Sequence, residues 1–416
     1  MKRDAFWSGL EAAMSAILSV VTSFVVARIA GPAAFGIGAA ATAVHVLLWV
    51  VVNGLFADAV VQRPSIDDRI MSSAFWASTG VGCVAMLIQG AAGWGLSILF
   101  RDPRLLAMGL VLAAPLPLAG AAGVIQGLLT RERAYRNLAL RTLIGQGLGT
   151  AVGVVSALYG AGAWAVVYQQ AVTTGIGALA LLVGRSWLPS GRLDWGSVRA
   201  LLTVGAPLTA STLVLIGRYR LFAVLIGGTA GPAALAQVHI AFRLVDTVRE
   251  LIFTALWRLM LPVFSDCQHD RAATLEQVDR WLRRCVAAVF PLCAVLGLGL
   301  TRVVAVSMGP VWAETGQAAV PLVGLMAWSV LSFPSGVALV AAGQVRFTLY
   351  ANLAGLAVSA AGVLLFRPAD PWHAAMIWTI SQILVSPYSL WANARALGVG
   401  MIRPLTGGFG VRAAVL

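Results

Sequence analysis

The chain has 416 residues, of which 59% are hydrophobic and 11% are charged, and its formal net charge is +13. A soluble domain carries about 25% charged residues, so this composition excludes an ordinary soluble enzyme, a disordered protein and a disulfide scaffold. The basic residues are scattered between apolar runs, which argues against nucleic-acid binding and favours a role in membrane orientation.

Twelve apolar runs follow one another along the chain, and each is long enough for a helix that crosses a bilayer. Membrane-spanning strands would give shorter, alternating segments, so the sequence predicts an all-α, polytopic membrane protein with about twelve transmembrane helices. The first run follows Lys2 and Arg3 without a convincing cleavage site, and we interpret it as a retained helix. We expect the runs at about 8–30, 36–58, 72–98, 105–129, 142–159, 162–183, 201–227, 233–262, 285–308, 318–341, 347–366 and 373–395.

The loops between these runs indicate the orientation. If the N-terminus is cytoplasmic, most of the loop arginines fall on the cytoplasmic side, as the positive-inside rule requires. We therefore expect both termini to be cytoplasmic.

The longest polar break divides the chain into two halves. Residues 184–200 carry Pro189 and Gly191 and separate six runs from six, which predicts N-terminal and C-terminal six-helix bundles at 1–190 and 191–416. Each half has an even number of helices, so both share one orientation. This favours parallel repeats with pseudo-twofold symmetry about an axis along the membrane normal.

A second polar break, residues 265–284, ends in a helical pattern. Leu275, Val278 and Leu282 share one face, opposite three arginines. The pattern is typical of a short interfacial amphipathic helix on the cytoplasmic side, and a solvated loop is the alternative.

No enzymatic pattern stands out in the sequence. There is no GxxxxGK[ST] phosphate loop and no HExxH, the four histidines lie in different segments, and the four cysteines show no CxxC spacing. We therefore expect no enzymatic activity, no metal and no cofactor.

Arginines inside the apolar runs are the first candidates for function. A charge at the bilayer centre costs about 2.5–3.5 kcal/mol on insertion scales, so such residues usually face protein or water. Arg218 and Arg220 interrupt the seventh run. Two helical residues at this spacing point about 200° apart, so only one of them can point straight into a cavity.

The eighth run carries a stripe of ionisable residues. His239, Arg243, Asp246 and Glu250 lie on one helical face, and Arg249 is close enough to Asp246 to pair with it. Two interpretations stay open. The stripe is either a self-compensated structural network or a polar cavity wall that binds an anionic headgroup through guanidinium–phosphate pairing.

Two acidic residues, Glu11 and Asp58, lie at the edges of the first two runs. Either residue could be a proton or cation site for coupled transport. The alternative is a helix-end group at the membrane interface.

Several segments resemble the oligosaccharide flippases of the polysaccharide transporter family, which belong to a superfamily that also holds multidrug antiporters and lipid II flippases. The segment ARIAGPAAFGIGAAA is similar to a family turn, and LYGAGAWAVVYQQ and MGPVWAETGQAAVPL are similar to two others. The segment LPVFSDCQHDRAATLEQVDR is similar to a family helix that ends at a proline. The chain departs from the family at Phe222, near a position that often carries Asp. The matching residues are Arg28, Gly31, Pro32, Phe35, Gly36, Gly160, Gly162, Trp164, Pro262, Gly309 and Trp312.

The resemblance implies two six-helix bundles around a central cavity. It also implies a substrate, a polyprenyl-diphosphate-linked oligosaccharide repeat unit that moves to the periplasmic leaflet of a bacterial inner membrane. The diphosphate would meet arginines and the sugar would meet glutamines, while polymerase and chain-length machinery would be further partners. The arginines are Arg28, Arg218, Arg220 and Arg243, and the glutamines are Gln126, Gln146, Gln169, Gln170 and Gln237.

Two rival functions stay open. A drug or cation antiporter of the same superfamily would depend on Glu11 and Asp58 more than on arginines. An integral-membrane polysaccharide polymerase or ligase would need a large external loop, and the expected outward loops are short.

Overall fold

The structure, a computed structural model, describes residues 2–63, 65–183, 189–191, 193–267, 270–341 and 346–397. Every regular element in this part of the chain is helical. In chain order the helices are α1 (Lys2–Ala30), α2 (Pro32–Gln62), α3 (Asp68–Leu99), α4 (Arg104–Ala113), α5 (Leu116–Arg131), α6 (Tyr135–Leu158), α7 (Ala163–Leu182), α8 (Trp195–Ala230), α9 (Pro232–Cys267), α10 (Arg271–Met308), α11 (Ala313–Val330), α12 (Phe333–Ala341), α13 (Arg346–Phe366) and α14 (Pro371–Leu397), with a 3₁₀ turn at Pro310–Trp312.

Each of the twelve apolar runs forms a helical segment within the described residues. The fourth segment is divided into α4 and α5, and the tenth into α11 and α12. Eight of the described segments are long and apolar enough on their own to cross a membrane. The prediction of an all-α fold with about twelve helical segments is therefore confirmed.

Prolines explain the division of the fourth segment. Pro115 and Pro117 lack the N–H that would bond to a carbonyl four residues earlier, and α4 ends at Ala113 while α5 begins at Leu116. Pro115 and its neighbours pack against glycines of α3 and α7. One side of the break therefore packs against protein, while Ala114 is exposed.

The chain forms two compact units, Met1–Ala236 and Gln237–Leu416. In the first unit, α5 packs against α2, α3 and α7, while α6 packs on α1 and α7. In the second unit, α11 packs on α10 and α14, and α14 also packs on α13. The division into halves at 1–190 and 191–416, which the sequence predicts, falls between α7 and α8. It stays a prediction.

The turn between α1 and α2 has the same sequence as the turn between α8 and α9. Both read AGPAA, at 30–34 and 230–234. Gly31 and Gly231 have φ of 78° and 91°, a left-handed conformation that favours glycine, and the proline that follows each glycine begins the next helix. The same local structure thus occurs 200 residues apart, as a repeat would give.

The prediction of a short, separate interfacial helix within residues 265–284 is wrong. The helix α10 runs without a break from Arg271 to Met308, so the amphipathic stretch is the first part of a membrane helix. Val278 and Leu282 on its apolar face are buried in the protein, which explains the helical pattern without contact to lipid.

Candidate functional site

Two of the arginines that the sequence singles out lie in the interior of α8. Arg218 is twelve residues from the end of α8 at Ala230, which corresponds to about 18 Å at 1.5 Å per residue. The hydrocarbon core is about 30 Å thick, so both Arg218 and Arg220 lie near its middle if α8 ends at the membrane surface. Both side chains are half-buried. The Arg218 guanidinium lies 5.3 Å from the centre of the Tyr219 ring, within the range of a cation–π contact.

The ionisable stripe of α9 lies in the second unit. Arg249 donates to the Asp246 carboxylate at 2.9 Å, and both side chains are mostly buried, with 29% and 26% exposed. Arg243 interacts electrostatically with Glu250 and Asp246 of the same helix. Charges of both signs thus lie along this helix, and Arg249 and Asp246 form an ion pair.

Glu11 belongs to a polar cluster of three helices in the first unit. Its carboxylate in α1 accepts a hydrogen bond of 2.6 Å from the Thr142 hydroxyl in α6. The next side chain, Arg141, interacts electrostatically with Glu11 and donates to Gln126 Oε1 in α5 at 2.7 Å. Asp58, the other acidic candidate, is exposed on α2. The two acidic residues therefore have different surroundings.

The remaining sequence candidates are spread over the helices. Arg28 is exposed in the last turn of α1, and His239 is half-buried in α9. Gln169 lies directly over Gly153 of α6, and Gln170 donates to the Thr174 hydroxyl at 3.3 Å. The structure does not bring these residues into one cluster within either unit. Gln146 is half-buried in α6, and Gln237 is buried in α9.

Two interior residues that each make a polar contact in the structure were not among the sequence candidates. His45 in α2 is fully buried, its Nε2 is 3.1 Å from the Thr174 hydroxyl of α7, and its ring lies close to the Leu112 backbone in the last turn of α4. Arg141 is the second, and it lies at the edge of the fifth apolar run, where arginines are expected in a loop. The signal for His45 was its place inside an apolar run.

Metal binding has no support in the part of the chain that the structure describes. There, no group of three or more His, Cys, Asp and Glu side chains could hold an ion.

Comparison with known proteins gives a consistent family assignment. A family model described as "Polysaccharide biosynthesis protein" matches residues 25–317. The succinoglycan biosynthesis transport protein ExoT of Rhizobium meliloti (strain 1021) is 24% identical over 328 residues, and the match covers 79% of this chain. The chain spans only 65% of the length of that relative. The amylovoran biosynthesis protein AmsL of Erwinia amylovora is 23% identical, with 79% of this chain and 86% of that protein covered.

Solved structures share the fold. The lipid II flippase MurJ in an inward closed conformation matches with a TM-score of 0.75 at 12% identity, covering 97% of this chain and 90% of that chain. An inward-facing multidrug resistance MATE family transporter matches with a TM-score of 0.59 at 13% identity, covering 91% and 95%. With its many apolar helices, the protein is a multi-pass membrane protein, and its fold is similar to those of the MurJ flippase and the MATE transporter.

Proposed function

Since the chain belongs to the polysaccharide biosynthesis protein family, we propose that it is a flippase for a polyprenyl-diphosphate-linked oligosaccharide. It moves the repeat unit from the cytoplasmic to the periplasmic leaflet of a bacterial inner membrane, with both termini cytoplasmic. The product serves exopolysaccharide or lipopolysaccharide assembly, in which a polymerase and chain-length machinery take over the repeat unit. The observation that supports the proposal is that Arg218 and Arg220 lie in the interior of α8 and Arg243 lies in the interior of α9.

The chemistry of a diphosphate explains why arginine occurs there. Arginine is always charged and pairs with phosphate through two parallel N–H···O bonds. A cation at membrane depth is otherwise unfavourable, so it is retained where it serves a pathway for charge. Arg28, at the end of α1, is a fourth candidate for the same role.

The sugar and the movement require other features. Half-buried glutamines such as Gln146 and Gln169 offer both donors and acceptors to hydroxyl groups. Alternating access needs helices that bend, and α8 contains Pro207 while the fourth segment is broken at Pro115. These features support transport by a conformational change.

Reconstituted vesicles test the proposal. The purified protein should move a polyprenyl-diphosphate oligosaccharide between leaflets, and Arg218→Ala, Arg220→Ala and Arg243→Ala should each lower the rate about tenfold or more, as loss of a hydrogen bond to a charged group implies. Arg302→Ala is the matched control, because Arg302 is exposed near the end of α10. Normal flipping by all three variants would refute the cationic site.

A deletion strain tests the same function in cells. It should accumulate polyprenyl-linked repeat units that face the cytoplasm, and the wild-type chain should remove them. No accumulation in a strain that makes the repeat unit would contradict the proposal.

A drug or cation antiporter is the second candidate. The likeness to a MATE transporter supports the fold, and the contact of Glu11 with Thr142 is the observation that favours a carboxylate site. Neutralising Glu11 and Asp58 would then abolish transport, and lipid-linked sugars would not bind. A polymerase or ligase is disfavoured, because the described turns 100–103 and 367–370 are too short for an external catalytic loop.

A further inference from the structure

A groove runs between α13 and α14 in the second unit. Its volume is about 700 Å³, within the range of sites that hold small ligands. The α13 wall contains Val358, Ala361 and Leu365, and the α14 wall contains Ile377 and Leu384. These positions recur at helical spacing, so one continuous face of each helix lines the groove. The groove is almost entirely apolar and half open.

The length of the groove matches one leaflet of a membrane. Along α14 it extends from His373 to Leu384, which corresponds to about 17 Å at 1.5 Å per residue. Half of a hydrocarbon core is about 15 Å thick. An acyl chain that starts at the α13–α14 turn would therefore lie in the groove over most of its own leaflet.

The polar groups of the groove are concentrated at the turn. Arg367 follows the last residue of α13, and its backbone N–H bonds to the Val363 carbonyl at 2.9 Å, which fixes where the side chain begins. His373 also lines this end, and its Nδ1 lies 2.7 Å from the Asp370 carboxylate. Since Nδ1 faces that carboxylate, Nε2 is the ring atom available to a ligand.

The same end has the features of a membrane interface. Trp372 is partly exposed and lines the groove next to Arg367 and His373, and tryptophan is enriched at the headgroup level. The apolar residues just before the turn face outward, with Leu365 77% and Phe366 76% exposed. In a membrane protein such side chains contact lipid.

We propose that this groove is a binding site for an anionic phospholipid, with one acyl chain between α13 and α14 and the phosphate at Arg367 and His373. The proposal rests on charge complementarity, because the polar side chains that line this end of the groove include the Arg367 guanidinium and the His373 imidazole. Guanidinium groups bind phosphate oxygens as paired donors. The Asp370 carboxylate does not line the groove and is occupied by the ring and the backbone N–H of His373.

Native mass spectrometry of the full chain in detergent tests the site. Phosphatidylglycerol should bind with higher occupancy than phosphatidylcholine of the same acyl chains. Arg367→Gln should weaken phosphatidylglycerol binding about tenfold, as loss of a charged hydrogen bond implies. Ala361→Trp should block the groove and lower the binding of both lipids, because Ala361 is exposed on its wall.

Two variants outside the groove are matched controls. Arg302→Gln removes an exposed arginine of α10, and Leu298→Trp enlarges a side chain that is 84% exposed on the same helix. Both should bind phosphatidylglycerol like the wild type. The proposal is overturned if the two groove variants bind like these controls, or if all four variants lose binding equally.

A competition experiment separates a membrane phospholipid from the lipid carrier of the proposed substrate. Phosphatidylglycerol should stay bound when polyprenyl phosphate is added at equal concentration. Displacement of phosphatidylglycerol from the wild type, but not from Ala361→Trp, would assign the groove to the carrier and overturn the proposal. Neither result depends on whether the chain flips lipid-linked sugars.

Discussion

The Glu11 carboxylate in α1 accepts a hydrogen bond of 2.6 Å from the Thr142 hydroxyl in α6. Arg141, the residue before Thr142, bonds to Gln126 of α5. A carboxylate that the sequence offers as a coupling site thus links α1 to α6, and Arg141 extends the polar cluster to α5. A neutral side chain of the same shape at position 11 distinguishes these roles. It would abolish ion coupling, but it would keep the hydrogen bond that links the helices.

Glu11→Gln should retain flipping, because the glutamine carbonyl can still accept the Thr142 hydrogen bond. Glu11→Leu should lower the free energy of unfolding by about 1–3 kcal/mol, since it leaves polar partners unsatisfied in a half-buried cluster. Thermal denaturation in detergent and a vesicle flipping assay measure the two effects. Loss of transport in Glu11→Gln at wild-type stability would instead favour proton or cation coupling.

His45 joins α2 to α7 in the interior of the first unit. His45→Leu should lower the free energy of unfolding by about 1–3 kcal/mol, because the buried imidazole bonds to the Thr174 hydroxyl. His45→Gln should recover part of this loss, since glutamine offers both a donor and an acceptor. Thermal denaturation compares the variants, and equal stability of His45→Leu and wild type would show that the contact contributes nothing.

Run length and hydrophobicity predicted the helices, because a membrane leaves the backbone few alternatives to a helix. The same signal failed where a helix extends beyond the bilayer. α10 has 38 residues and is about 57 Å long at 1.5 Å per residue, which exceeds the thickness of a hydrocarbon core. Its polar first part was therefore predicted as a separate helix. Hydropathy marks the membrane-embedded part of a helix and not its ends.

The surroundings of the candidate residues were harder to predict. The spacing of Arg243, Asp246 and Glu250 placed them on one face of α9, and the Asp246–Arg249 pair was expected from their separation. The contacts of Glu11 with Thr142 and of His45 with Thr174 span 131 and 129 positions. Such contacts depend on which helices pack together, and a single sequence does not contain that information.

Close packing of α2 and α8 depends on a glycine. A Cβ atom at Gly205 would overlap the backbone carbonyl of Leu55, so Gly205→Ala should lower the free energy of unfolding by about 1–3 kcal/mol. Gly297→Ala is the matched control, because Gly297 is helical and has nothing within 4 Å of such an atom. Thermal denaturation of both variants measures the difference. Equal stability would mean that α2 and α8 separate easily.

Asp194 connects the start of α8 to the start of α3. Its carboxylate accepts hydrogen bonds from the hydroxyl and backbone N–H of Ser197 and from Arg69 at 3.1 Å. The Ser197 hydroxyl is the main cause that lowers the pKa of Asp194 below its ordinary value of 3.8. The carboxylate form therefore stabilises the fold at pH values above 3.8, and this contribution is lost as the pH falls through the lowered pKa.

Asp194→Ala should accordingly lower the Tm by a few degrees at pH 7. The difference from wild type should shrink when the pH falls below about 4. Asp194→Asn, which can still cap a helix, should lose less. Melting curves at several pH values test this, and a difference that stays constant down to pH 3 would contradict the role of the charged form.

The Asp246–Arg249 pair distinguishes a structural stripe in α9 from a functional one. A double-mutant cycle with Asp246→Asn and Arg249→Gln should give a coupling energy of about 0.5–1 kcal/mol, because the pair is partly exposed. If the pair only compensates charge, the double variant should flip lipid-linked sugars like the wild type, since its net charge is unchanged. Arg243→Gln should still slow flipping in that background, because the diphosphate would lose a cationic partner. Equal flipping rates with and without Arg243 would reduce the α9 stripe to a structural network and leave the arginines of α8 as the cationic site.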